Sequence, residues 1–408
     1  MAIEETLAPE SEKADAFAAV RVKLEYVISQ IAEDATTRRH EGKEVRPYAA
    51  VRLIKEAKLG ALRLPTEHGG SAFSIQDTFR VLIQLAEADP DVAHSLRYHF
   101  YIVEKFLLLP DGPVKDIWLA RIAAGDLIGN GFTELNTKNA GQFEFDTALT
   151  ADGEGFRLNG TKYFSTGTLY ADWVGIMAAG TDGRTVQVFL PTGREGVEIV
   201  DDWDGFGQKL TGSGTTNLNH VYVERSEILE IPEGETPFNS HLQLYLQAVI
   251  AGILHAVVKD ARELVLTRKR TFTFAAAAKP AEDPQLLEVI GQLSSRAFAA
   301  EAIVLAAAES LNRAVQSAAE GNIDYKQSHE ASLKAAQAKV VIDPLAQEAA
   351  SLLFDVGGAS ATRQSAQLDR HWRNIRTLAS HNPIGYKARA VGNYAVNGKE
   401  LPIQEVYF

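Results

Sequence analysis

The spacing of apolar residues changes twice along this chain, and that double switch restricts the fold more than any other feature. From Ala14 to about Leu127 they recur at helical steps (Phe17, Val20, Leu24, Val27, Ile28, Ile31), and the same spacing returns over Tyr48 to Leu59 and Ile75 to Leu109. From Ile128 to about Leu229 the pattern alternates instead (Phe156 and Leu158; Val186, Val188 and Leu190; Val221 and Val223), between Asp-Gly, Asn-Gly and Gly-Ser-Gly turns. Beyond Pro237 helical spacing resumes. The expected architecture is α+β: an N-terminal α-helical domain over 1–127, a central β-barrel or sandwich over 128–236, and a C-terminal helical bundle over 237–408.

Local signals refine this expectation. Asn159-Gly160 predicts a type I′ hairpin, because both residues tolerate positive φ. Asp283-Pro284 predicts a helix start, with the carboxylate as N-cap and proline at the first position. Pro344 predicts a kink or restart in the run that follows. The broad alanine-rich faces of these last helices suit either contact with another copy of the chain or the bundle's own core.

Composition removes several function classes. A net charge of −12 without a basic cluster argues against nucleic acid as a partner. No cysteine is present, so thiolate nucleophiles and iron–sulfur clusters are excluded and redox chemistry requires a bound cofactor. The ten histidines show no metal-ligand spacing, so no metal is expected. With no signal-like apolar opening and no run approaching about 20 apolar residues, the expectation is a cytoplasmic protein acting on a small molecule, with no membrane partner.

Four segments then stand in a telling order: Leu64-Pro-Thr-Glu-His-Gly-Gly70, Gly131-Phe-Thr-Glu134, Leu158-Asn-Gly-Thr-Lys-Tyr-Phe-Ser-Thr-Gly167, and Phe206-Gly-Gln-Lys-Leu-Thr-Gly-Ser-Gly-Thr215. Together they resemble the acyl-CoA dehydrogenase superfamily across nearly the whole chain, which implies that family's fold with a C-terminal four-helix bundle. Its dehydrogenases use a carboxylate base, often in a Glu-Gly-Thr element late in the chain. Here the corresponding stretch, Leu368 to Pro383, contains no glutamate. That stretch, with Asp369-Arg-His-Trp-Arg-Asn374, Arg376-Thr377, His381-Asn-Pro383 and Tyr386-Lys387, is similar to the dibenzothiophene monooxygenase branch, as are Asp201-Asp-Trp203 and Tyr98-His99. Leu378 departs from the branch, standing where it carries the first of two histidines.

The resemblance implies a two-component monooxygenase that takes FMNH2 from a separate flavin reductase and forms a flavin C4a-(hydro)peroxide. It then oxygenates a small organic compound, most plausibly at sulfur. FAD remains possible, and an FAD-dependent acyl-CoA dehydrogenase with a displaced base is the alternative. A homotetramer is implied as well. The implied catalytic residues are His99, His381, Asn130 and Thr166, with Phe132, Thr133, Phe164, Ser165 and Thr166 against the flavin. Arg270, from this or an adjacent subunit, and Gly357, Gly358 and Ser360 would meet its phosphate, and Tyr98, Trp203 and Phe206 would line the substrate pocket. Read without the resemblance, His99 is a buried ring satisfied by a backbone carbonyl, Arg270 a solvated helix end, and Gly357-Gly358 a helix C-cap.

Overall fold

In the computed structural model, residues 10–41, 45–135, 144–230, 238–319, 323–403, 405 and 407–408 are described. Six helices come first: α1 (Glu10–His40), α2 (Tyr48–Ala57), α3 (Ile75–Ala88), α4 (Pro90–Ser95), α5 (Arg97–Leu107) and α6 (Pro113–Ala124). Capping explains several of their ends. Ser74 accepts from the Asp77 amide to start α3, Asp89 accepts from Asp91 and Val92 to start α4, and Gly125 in the left-handed region closes α6.

Eight strands follow: β1 (Ile128–Gly131), β2 (Ala148–Asp152), β3 (Gly155–Lys162), β4 (Trp173–Ala179), β5 (Thr185–Pro191), β6 (Val197–Val200), β7 (Thr215–Val223) and β8 (Ile228–Glu230). The expected barrel or sandwich is realised as one mixed sheet in the order β6-β7-β3-β2-β4-β5-β8, with β1 paired in parallel to β4. Leu149, Leu158, Val174, Ile176, Val188, Leu190, Leu218 and Val221 gather into one cluster, so the sheet curls around a core of its own.

Asn159-Gly160 is not a hairpin turn. Both residues lie inside β3, paired to β2 on one side and β7 on the other, with a register shift between Leu158 and Gly160. A Cβ on Gly160 would stand 2.2 Å from Thr147 Oγ1, so the glycine serves close approach at a bulge. The turn sits earlier, between Asp152 and Gly155.

The last helices are α7 (Phe238–Thr267), α8 (Pro284–Ala319), α9 (Tyr325–Gly357), α10 (Asp369–Ala379) and α11 (Ile384–Asn397). Asp283 caps α8 as expected, accepting from the Gln285 amide at 2.9 Å. Pro344 does not restart a helix. α9 runs through it, held by fully buried Ile342 and Ala346 on either side. Helices α7 and α8 are each long and apolar enough, by length and composition alone, to cross a bilayer, which corrects the expectation that no such run exists. The apolar window of α7 is 78% buried, marking it as a core helix, whereas that of α8 is only 22% buried. One continuous apolar core joins the first helices to the last, with Phe79, Leu82 and Phe100 packed among Tyr245, Val249 and Ala335.

Candidate active site

The loop after β3 meets the loop before β7 through backbone and hydroxyls. Ser165 and Gly167 donate backbone N–H groups to the carbonyls of Gly214 and Thr211 at 3.0 and 2.9 Å. Thr166 Oγ1 lies 2.8 Å from Ser213 Oγ, which lies 2.6 Å from Thr211 Oγ1. Thr211 Oγ1 donates in turn to the Gln208 carbonyl at 2.8 Å. Phe164 adopts a left-handed φ of +54°, which turns the chain out of the strand and leaves its ring half-exposed, edge-on to Trp203 at 5.9 Å. Trp203 is fixed by a 3.0 Å hydrogen bond from Nε1 to the Gln208 carbonyl, and exposed Phe206 stacks on Trp372 at 6.0 Å.

Three basic side chains complete the cleft. His94, near the end of α4, brings Nδ1 within 2.9 Å of Gln208 Oε1, and its buried Nε2 has no partner among the described residues. Burial, then the Arg97 charge, lowers its pKa to about 3, so the ring is neutral. Arg97 begins α5, donates Nε–H to the Leu242 carbonyl at 3.0 Å and places Nη1 2.9 Å from His381 Nε2. An arginine only donates, so His381 Nε2 accepts, and the proton of the neutral ring rests on Nδ1, 3.3 Å from the Asn382 amide. His381 lies on the short link between α10 and α11 and keeps one edge open to solvent. Desolvation in the cleft and the charges of Arg97, Lys339 and Lys387 hold it well below the ordinary histidine range. Beneath it Asn382 Nδ2 donates to Gln243 Oε1 at 2.8 Å, and the Gln208 amide donates to Asn374 Oδ1 at 2.8 Å.

Of the residues expected from the sequence, His381, Thr166, Ser165, Phe164, Trp203 and Phe206 converge here. His99 does not. Its ring is 0% exposed, Nε2 lies 3.0 Å from the Gly60 carbonyl, and Nδ1 accepts from the Ile128 amide at 3.3 Å. With both nitrogens spent on backbone, it ties the Leu59–Ala61 turn to β1 and has no face toward the cleft. Tyr98 is likewise core: it packs on Gly175 and Phe189, with its hydroxyl accepting from Gln187 Nε2. His94, which the sequence reading did not single out, lies five residues earlier on the other side of the break at Leu96, and it is this ring that meets Gln208. The Asp89-Pro90 cap marks where that short helix begins, but nothing local tells which ring meets Gln208.

Asn130 lies in β1, where its carbonyl accepts from Thr168 Oγ1 at 3.0 Å. Thr133 bridges to Tyr163, and Phe132 meets Phe145 edge-on at 5.4 Å. Both flank a buried ion pair, Lys162 Nζ to Glu134 Oε1 at 2.6 Å, in which desolvation brings the lysine down to about 8.

Arg270, Gly357, Gly358 and Ser360 form a separate corner. Arg268 donates to the carbonyls of Arg270 and Val356, and Phe272 lies against Gly358, whose left-handed backbone (φ +58°) ends α9. This corner adjoins the end of α7 at Thr267, whereas Arg97 meets that helix at Leu242, roughly 38 Å away along its axis. One flavin cannot span both places within a single chain.

Among the described residues Ser165 Oγ, His94 Nε2 and Gln208 Nε2 are buried without a partner, next to the Thr166 hydroxyl and the Phe164 and Trp203 rings, so polar groups and aromatic faces stand together here. A family model described as "Acyl-CoA dehydrogenase, C-terminal domain" matches residues 244–385. A "Probable FMNH2-dependent monooxygenase SfnC" from Pseudomonas putida is 28% identical over 91% of this chain and 93% of its own length. The dibenzothiophene monooxygenase of Mycolicibacterium goodii is 29% identical over 84% and 86%. Among solved structures, methanesulfinate monooxygenase MsuC from Pseudomonas fluorescens is similar with a TM-score of 0.85 and 26% identity over 98% of this chain and all of that one. FMN-bound TdsC from Paenibacillus sp. A11-2 gives 0.84 and 26% over 97% of this chain and all of its own. The fold, the site and these likenesses agree: residues 244–385 match the C-terminal domain of acyl-CoA dehydrogenases, and nearly the whole chain is similar to flavin-dependent monooxygenases of the dibenzothiophene type.

Proposed function

We propose that this protein is an FMNH2-dependent monooxygenase that transfers one oxygen atom of O2 to a small organosulfur compound. The observation that carries the reading is the convergence of neutral His94, Arg97 and His381 with the hydroxyl run ending at Thr166. When bound, reduced FMN supplies the electrons that activate O2. The protein's task is to place donors where charge develops and to keep water away. Thr166 and Ser213 offer hydroxyls that can donate or accept. His381 carries its proton on Nδ1 while Arg97 holds Nε2, and Phe164, Trp203, Phe206 and Trp372 supply apolar wall.

The distant corner with Arg268, Arg270 and Gly358 belongs, in this reading, to the phosphate site of a neighbouring copy. The largely uncovered α8, with Phe298 74% and Leu287 50% exposed, supports subunit packing, and a homotetramer accommodates both features. A separate reductase supplies FMNH2 by diffusion in the cytoplasm. The test is anaerobic protein with FMNH2, then 18O2 and a sulfide, sulfinate or sulfone. Labelled product, lost in His381→Ala, supports the reading. Flavin bleaching by an acyl-CoA, with no labelled product, would replace it with a dehydrogenase.

A further inference from the structure

The segment after α11 returns to the cleft along a built rail. Leu401 and Ile403 are buried beside Ala336, and the Leu401 amide donates to His329 Nε2 at 3.0 Å. Asn239 Nδ2 reaches the carbonyls of Ile403 and Glu405 at 3.3 and 3.1 Å, and Tyr325 donates its hydroxyl to Glu400 at 2.6 Å. This anchoring delivers two aromatic rings. Tyr407 meets His381 edge-on, with centroids 5.9 Å apart, and Phe408 lies 3.8 Å from the Nζ of buried Lys387.

We propose that this segment forms the wall of the substrate cleft nearest His381, with Tyr407 both limiting the size of the acceptor and holding the His381 ring in the orientation that Arg97 bonds. The proposal rests on the monooxygenase reading for its substrate and on geometry alone for its positioning role. His381 has no helix of its own, since α10 ends at Ala379 and α11 begins at Ile384. Its ring is therefore held by what surrounds it. Arg97 grips Nε2, and the Tyr407 ring blocks swing on another side. The aromatic group of Phe164, Trp203, Phe206 and Trp372 comes from other loops and from α10, so removing Tyr407 opens the cleft without touching that group. The anchors lie at Leu401 and Ile403, so a change at Tyr407 leaves the segment docked.

The experiment uses the whole chain as parent, Tyr407→Phe and Tyr407→Ala, with matched melting temperatures as a fold control. FMNH2, O2 and two competing acceptors are supplied, a one-carbon alkyl sulfinate and a three-ring aryl sulfide. Tyr407→Ala is expected to raise the ratio of kcat/KM for the large acceptor over the small one at least tenfold, chiefly through KM, while Tyr407→Phe keeps the parental ratio. In parallel, histidine-selective NMR, assigned with His381→Gln, follows the His381 ring, which faces Arg97, His94, Lys339 and Lys387. Loss of the Tyr407 ring is expected to let the His381 ring swing away from Arg97 and so move its titration upward, with the phenylalanine variant unmoved. An unchanged ratio together with an unchanged titration would overturn the proposal. So would equal losses on both acceptors in both variants. Should the parent oxygenate neither acceptor, the monooxygenase reading fails, and the titration still decides whether Tyr407 holds His381.

Discussion

Arg97 Nη1 lies 2.9 Å from His381 Nε2, joining the start of α5 to the link between α10 and α11 across 284 residues of sequence. The same guanidinium donates to the Leu242 carbonyl on α7, so one side chain fixes the meeting point of three helices and the tautomer of the histidine at their centre. Burial lowers the arginine to about 10, which leaves it protonated at neutral pH.

Removing that charge should alter both rate and pH dependence. Arg97→Met is expected to lower kcat/KM about 100-fold, the scale of a lost positioned proton-handling group. Arg97 depresses the His381 pKa, so its removal raises it. If the neutral ring is the active form, the acid limb of the rate profile moves to higher pH. A profile of kcat/KM between pH 5 and 9 checks this, and an unmoved limb would show that His381 does not set it.

The hydroxyl run makes a graded prediction. Thr166→Val removes the group at its cleft end and should weaken turnover roughly tenfold or more, since a lost hydrogen bond of about 1.4 kcal/mol is tenfold. Ser213→Ala removes its partner at 2.8 Å and should cost less, because Thr166 keeps its own hydroxyl. Steady-state kinetics with saturating FMNH2 separates the two, and a larger loss at Ser213 would reverse the assigned order.

Buried neutral histidines should make the fold acid-sensitive. His99, His241 and His371 are each lowered to about 4 by burial, below the unfolded value of 6.5. The unfolded chain therefore binds more protons between these values, so their contribution is complete above about pH 6.5 and is lost as pH falls toward 4. Each ring accounts for about 3 kcal/mol by pH 4 and below. Urea denaturation at pH 7.5 and 4.5 should show a clear fall in midpoint. Asp91, raised to about 7 chiefly by burial, works in the opposite direction and limits the size of the drop.

The Lys162–Glu134 pair is a stability site at the end of β3. Glu134 also accepts from the Asp146 and Thr147 amides at 2.7 and 3.0 Å. Lys162→Met leaves that carboxylate buried without its cation and should destabilise the protein by about 3–5 kcal/mol. A fall of that size in denaturant unfolding is expected, while Lys162→Arg should recover little, because the site encloses the lysine completely.

The remote corner predicts dependence on a second copy. Arg270→Ala should weaken FMN binding with no change in melting temperature, since its side chain is exposed and its surroundings are held by Arg268. Flavin affinity should also fall on dilution to the monomer, measured by fluorescence quenching alongside light scattering. Full affinity in a monomer would place the phosphate elsewhere.

Local physics made the sequence legible where neighbours in the chain decide the outcome. The helix–strand–helix order and the Asp283 cap follow from apolar period and capping chemistry within a few positions of one another. The resemblance added His381, Trp203 and Phe206, because those residues travel with short contiguous patterns. Tertiary structure decided the rest. Whether Asn159-Gly160 turns or bulges depends on β2 and β7 pairing from both sides, and whether Pro344 breaks α9 depends on the core around it. The choice between His94 and His99 is of the same kind. The two share one short stretch, yet Gln208 and Arg97 claim one for the cleft while the backbone of Gly60 and Ile128 consumes the other. Hydrogen bonds that cross more than a hundred residues leave no period in the sequence, so only the folded chain shows which ring keeps a nitrogen without a partner among the described residues.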